Sequence, residues 1–388
     1  MENIILVFRL LYKNSIFIFF RYLLIVYSFP IFAQDFSVDT MSLEEKVGQL
    51  LIVHFYGKDA NANSNFLIQK LYVGGIIYYE WANGLESYDQ IKHLSLSLQK
   101  QAQQNSHPIP LWLCVDQEGG KVTRLKQGFT QFISNKILAE KYDLQLTYKN
   151  ANQMALELKS VGINWNFAPV VDLANPGSYM EDRCYGADPN QVIQHAQVFI
   201  QAFENQNVLC CLKHFPGHGS VKTDSHQDLP VQLKTENELF NSDLIPFVHL
   251  SNIAPAIMTA HIQVPGLDPK NCSTLSPIIL ETLLRKKIGF EGIIISDSLA
   301  MEGVLKNASS IEEVAIQAFN AGCDILLLGG KQLNGEKQNF EINIQDIEKI
   351  HHALVHAVRS GRLSEEKINY SVDRILRWKQ KILSNQPF

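Results

Sequence analysis

Gly292-Ile-Ile-Ile-Ser-Asp-Ser298 runs from three consecutive isoleucines straight into a carboxylate. β-Branched side chains on successive residues point to both faces of an extended chain, so such a run fits only where both faces are covered. Seven other runs share this character: residues 48–55, 73–79, 109–116, 163–172, 208–214, 256–262 and 323–329. Between them lie longer stretches of helical period, among them 86–104, 145–161, 189–206, 309–320 and 345–360. Eight buried strands alternating with helices predict an α/β protein, a single (β/α)8 TIM barrel. The competing layout, an open doubly wound sheet, calls for a glycine-rich phosphate turn after an early strand. No GxGxxG or Walker pattern is present. A final helix is expected over 364–383, with Ser364 as cap and Glu365 and Glu366 in its first turn. Its apolar stripe is Ile368, Val372, Ile375 and Leu376.

The start of the chain has a different logic. Arg9, Lys13 and Arg21 precede a charge-free run from Tyr22 to Gln34 that ends in Phe32-Ala33-Gln34. Basic residues, an apolar stretch and a small residue at its end predict a signal peptide over 1–33, cleaved near Ala33. Left uncleaved, the same segment would be an anchor helix, and only then is membrane contact expected. The expected location is outside the cytoplasm, periplasmic or secreted. The barrel is expected over 36–388.

Hydrophobic residues make up 46% of the 388 and charged residues 19%, ordinary proportions for a chain with a sizeable core. Residues 1–33 carry three basic side chains and one acidic, so their removal takes the formal charge from −5 to −7. That balance argues against nucleic acid as a partner. The six cysteines show no CxxC spacing, and most lie in apolar runs, Cys114 and Cys323 in expected strands. They read as small buried residues and not as a disulfide framework. Oligomeric state is not legible.

Several expected strands end in polar residues. Residues 109–115 lead to Asp116-Gln-Glu-Gly-Gly120, 163–171 to Asp172, 208–212 to Lys213-His214, 256–260 to His261, and 292–296 to Asp297. In a barrel these ends share one rim, where ligands bind. The densest segment is Lys213-His-Phe-Pro-Gly-His-Gly-Ser-Val-Lys-Thr-Asp-Ser-His226. Asp224 and His226 stand two apart in it, close enough for a carboxylate to orient an imidazole. His214 and His218 have HxxxH spacing, but Pro216 and Gly217 argue against the helix that would aim both at a metal. Apart from any resemblance, the histidine cluster leaves a metal-dependent hydrolase on the same barrel open. His261 lines the pocket or is a satisfied structural histidine. Asp172 holds strand ends together or touches a ligand. His351, His352 and His356 read as surface or packing residues of a late helix.

The Lys213–His226 segment, Val115-Asp-Gln-Glu-Gly-Gly120, Ile295-Ser-Asp-Ser-Leu-Ala-Met301, Asn164-Trp-Asn-Phe-Ala-Pro-Val-Val-Asp172 and Gly361-Arg-Leu-Ser-Glu-Glu366 together resemble family 3 glycoside hydrolases. Within that family they look like the single-domain bacterial β-N-acetylglucosaminidases. The resemblance spans about residues 40–380. It implies a retaining exo-glycosidase acting on an oligosaccharide with terminal β-N-acetylhexosamine, from peptidoglycan fragments or chitooligosaccharides, with no cofactor and no metal. A β-glucosidase or a phosphorylase of the same family is the neighbouring alternative. The resemblance also implies the roles: Asp297 as nucleophile, His226 as general acid/base, Asp224 as its partner. Asp116, Arg124, Arg183, Lys213 and His214 would bind the sugar. Glu118 and Met301 lie in the motifs without an assigned role. Lys121, Cys184 and Ser298 depart from the family's usual Arg, Ser and Asp.

Overall fold

The computed structural model describes residues 37–383 except 175–177, 179, 220–228, 306–308 and 333–339. The expected signal segment and the Asp224–His226 pair therefore lie outside the described residues. The strands are β1 (Leu51–Val53), β2 (Gly75–Ile77), β3 (Trp112–Val115), β4 (Trp165–Asn166), β5 (Leu212–Phe215), β6 (Ala256–Thr259), β7 (Ile293–Ile295) and β8 (Leu326–Leu328). All ladders between them are parallel, in the orders β8-β1-β2-β3-β4 and β5-β6-β7. Single bridges join the two sets, Trp165 to Leu209 and Ile295 to Ile325. The ring closes, and the fold is the α/β barrel that the alternation predicts.

The strands are shorter than the apolar runs, for local reasons. Residues 48 and 49 end a helix, Leu43–Gln49, that the Ser42–Glu45 capping box starts. The 163–172 run pairs regularly only at Trp165–Asn166. Pro169 has no N–H to give the ladder, and pairing resumes where Val171 N–H donates to Lys213 O at 2.9 Å. Lys213 and His214 belong to β5 itself and do not follow it. Cys323 precedes β8, in the turn after helix Ile311–Ala321. Helices occupy Tyr88–Ala102, Leu144–Ser160, Pro189–Asn205, Ile311–Ala321 and Ile344–Arg359, close to their expected spans. Each starts on a side-chain cap: Ser87, Asp143, Asp188, Ser310 and Asn343. A short ribbon, Gln263–Val264 with Asp268–Cys272, lies between β6 and a π-wound helix, Ile278–Lys287. No described helix is long and apolar enough to cross a membrane.

The three isoleucines of β7 are fully buried, as two-sided burial requires. Trp112 and Trp165 meet edge to face, with centroids 5.2 Å apart. Gly75 is what lets β2 approach β3, since a Cβ there would lie 2.6 Å from Trp112 O. All six thiols are free and buried.

The C-terminal helix Glu365–Leu383 buries Ile368, Val372, Ile375 and Leu376 against the barrel, as its stripe predicts. One turn on, Lys379 goes fully inside. Its Nζ donates to Gln49 Oε1 and Gly74 O, both at 2.8 Å. Burial lowers its pKa from 10.5 to about 7, against a small opposing pull from Cys114. A depressed lysine gives a stability term that grows with pH, because the unfolded chain binds the extra proton between the two pKa values. Wild type should therefore gain on Lys379→Met between about pH 7 and 10.5, at no more than about 1.4 kcal/mol per pH unit. Urea unfolding of both proteins at pH 7 and pH 9.5 checks this, and a pH-independent difference would contradict it.

Candidate active site

At the C-terminal ends of the strands lies a cavity of about 400 Å³. Every described residue assigned to the site lines it: Asp116, Arg124, Arg183, Lys213, His214 and Asp297. They arrive from different strands. Asp116 follows β3, Arg183 lies beyond β4, Lys213 and His214 are in β5, and Asp297 follows β7.

The floor is an ion network centred on Glu118. Arg183 grips it bidentately, with Nε donating to Oε2 at 2.9 Å and Nη2 to Oε1 at 2.8 Å. Lys213 Nζ reaches Glu118 Oε1 at 2.7 Å and Asp116 Oδ1 at 2.9 Å. Burial alone would push the Glu118 carboxyl up. The Arg183 and Lys213 charges outweigh it and hold the group well below the usual carboxylate range. Burial works against Lys213 as a cation too, and Asp116 and Glu118 more than compensate. The cations are thus held rigid and charged under the cavity, so a polar ligand meeting them there costs them little side-chain entropy.

Of its two readings, Asp172 holds strand ends together, bonding the backbone and ring of His214 in β5. It is fully buried and takes no part in lining the cavity. Its carboxylate accepts from His214 Nδ1 at 2.7 Å and from the backbone N–H of His218 at 2.6 Å. This fixes the His214 ring, whose Nε2 lies 3.4 Å from Arg183 Nη2. His218 packs edge to face on His214, at 5.9 Å. Burial, and then the neighbouring His214, lower the His218 pKa to about 4, which keeps it neutral near pH 7. His351 is buried, its Nε2 donating to Glu44 O at 3.0 Å, and His352 and His356 are exposed on the same helix.

Asp297 accepts the N–H of Ser298 on Oδ1 at 2.7 Å, while Ser298 Oγ donates to Gly329 O at 2.5 Å. Ser298 thus ties the turn that carries Asp297 to the chain after β8. Lys121 forms an exposed ion pair with Asp182, and Cys184 packs with Val170, Ala174 and Met180.

A model of the family described as "Glycosyl hydrolase family 3 N terminal domain" matches residues 42–378. The chain belongs to glycosyl hydrolase family 3. A relative called "Beta-hexosaminidase A" from Pseudoalteromonas piscicida is 33% identical over 335 residues, covering 81% of this chain and 54% of its own length. A "Beta-hexosaminidase" from Haemophilus influenzae is 35% identical over 284 residues, 72% of this chain and 78% of its own. A solved family 3 β-N-acetylglucosaminidase from Paenibacillus sp. superposes with TM-score 0.83 at 36% identity, over 90% of this chain and 64% of that one. The chain spans about half the length of the Pseudoalteromonas protein and just under two thirds of the Paenibacillus one.

This family 3 cavity has a wall that sequence reading passed over. Tyr79, Glu80 and Trp81, just past β2, and Lys331, past β8, also line it. Trp81 is 39% exposed, stacks on Tyr79 at 5.1 Å and carries Lys331 Nζ 4.2 Å from its ring centre. The readable signal was position: each stands just beyond the C-terminal end of a strand. For Glu118 the signal was spacing, since residues 116 and 118 share a face of an extended segment.

Proposed function

We propose that this chain is a retaining exo-glycosidase that removes terminal β-linked N-acetylhexosamine. The observation that carries the reading is Asp297 facing a cavity floored by the fixed cluster of Asp116, Glu118, Lys213, Arg183 and His214. The relatives named β-hexosaminidase and β-N-acetylglucosaminidase support the substrate.

In the first step a carboxylate oxygen of Asp297 bonds to the anomeric carbon as the glycosidic C–O bond breaks. The leaving oxygen takes a proton from His226, and Asp224 stabilises the imidazolium before transfer. In the second step water gives one of its own protons to the now neutral His226 and attacks the anomeric carbon. Asp297 leaves, and configuration is retained. Lys213, His214, Arg183 and Arg124 donate to sugar hydroxyls, and Asp116 accepts from them. The 1–33 segment directs export, and the substrates are peptidoglycan fragments or chitooligosaccharides.

His226→Ala tests the reading. Loss of a general acid costs about 10²–10⁴-fold where the leaving group needs its proton. Chitobiose turnover should fall by that order, while aryl glycosides with acidic leaving groups lose far less. Equal losses on both would remove His226 from the mechanism. Early-time NMR should find the β-anomer first. A panel of aryl β-glycosides, followed by muropeptide and chitobiose digests with and without phosphate, separates hydrolase from phosphorylase and ranks the substrates.

A further inference from the structure

His261 lies two residues past β6, the neighbour of β7 in the ring, and is fully buried. It is outside the cavity lining. Both its ring nitrogens are engaged: Nε2 with Ser298 O at 2.9 Å and Nδ1 with Thr274 Oγ1 at 2.8 Å. A carbonyl oxygen can only accept, so Nε2 carries a proton and donates it. Behind it, Thr274 Oγ1 meets Thr259 Oγ1 at 2.7 Å, and both hydroxyls are buried. The chain of contacts therefore runs Thr259, Thr274, His261, Ser298. It ends on Asp297, because the N–H of Ser298 donates to Asp297 Oδ1.

We propose that His261 is a positioning residue for the nucleophile. It clamps the Ser298 carbonyl from below while Ser298 Oγ is held by Gly329 O from the side. With its side chain and carbonyl both fixed, Ser298 presents its N–H to one oxygen of Asp297 in a constant direction. That bond favours the ionised carboxylate and sets the angle at which Asp297 meets the anomeric carbon. The inference rests on the reading of Asp297 as nucleophile.

The test uses the whole chain with an aryl β-N-acetylglucosaminide. Gln can place an amide N–H where Nε2 stands, and Leu cannot. His261→Leu is expected to lower kcat at least about 30-fold with KM changed less than about threefold, a within-complex loss of the kind that misplacement causes. The acidic limb of its pH–kcat/KM profile should move to higher pH, because Asp297 loses a well-aimed donor. His261→Gln should recover most of kcat and return the limb. A folded His261→Leu with wild-type kcat and an unmoved limb would overturn the proposal. So would a folded His261→Gln whose limb stays with that of Leu. If His261→Leu does not fold, Thr274→Val decides: the chain of contacts demands a shifted limb in the same direction, and an unshifted one overturns the proposal. Asp297→Ala run alongside keeps the two readings apart, since turnover surviving there sinks the nucleophile and not merely its positioning.

Discussion

Asp297→Ala is expected to lower kcat by about 10⁴-fold or more while the fold stays intact. On the proposed mechanism the substitution removes the atom that bonds to the anomeric carbon, and none of the cations under the cavity can replace it. Its cost to stability is small, because Asp297 is only part-buried and is no partner in the Glu118 ion network. Melting temperature and far-UV CD should match wild type. Azide offers a positive control. A small anion entering the vacated space attacks from the same face, so turnover should return with an α-glycosyl azide as product. Hydrolysis at more than about one part in a hundred of the wild-type rate, or a β-azide, would place the nucleophile elsewhere.

Glu118→Gln is expected to damage both stability and binding. The substitution preserves shape but removes the charge that Arg183 grips with two bonds. Lys213 keeps Asp116, and Arg183 loses the carboxylate that holds it. Breaking a buried pair by removing one partner costs about 3–5 kcal/mol. The sign with pH follows from the depressed carboxyl. Its contribution is complete above the unfolded value near 4.5 and fades as pH falls through the lower folded value. The gap between wild type and variant in urea unfolding should thus be widest at neutral pH and shrink in strong acid. On activity, KM should carry most of a roughly 100-fold fall in kcat/KM, since in the proposed function the loosened cations bind substrate in ground and transition state alike.

The features legible in the sequence are those written in local patterns. Ile293–Ile295 could only be a doubly buried strand, and the helical periods placed five helices within about two residues. The strand ends were harder, because pairing depends on neighbours remote in sequence. Pro169 cut one ladder short, and a capping box claimed the first residues of an apolar run. At the site, Asp116, Arg183, Lys213 and Asp297 could be named from motifs. The motifs do not say who pairs with whom. That Glu118 is the hub, and that Asp172 serves His214 and His218, follow from the barrel bringing β3, β4 and β5 together. His261 stood open between two readings because its partner Ser298 lies 37 residues away.

The six buried thiols give this barrel a stability gauge of its own. Burial raises the pKa of each, so little thiolate forms and an alkylating reagent has almost nothing to react with in the native state. They are spread around the ring: Cys114 in β3, Cys184 beyond β4, Cys210 and Cys211 before β5, Cys272 in the ribbon, Cys323 before β8. Labelling rates at each site would report how often that sector opens, read as mass added per peptide. Uniform rates would mean that the barrel opens as one unit. Graded rates would rank its sectors from loosest to firmest, without a single introduced probe.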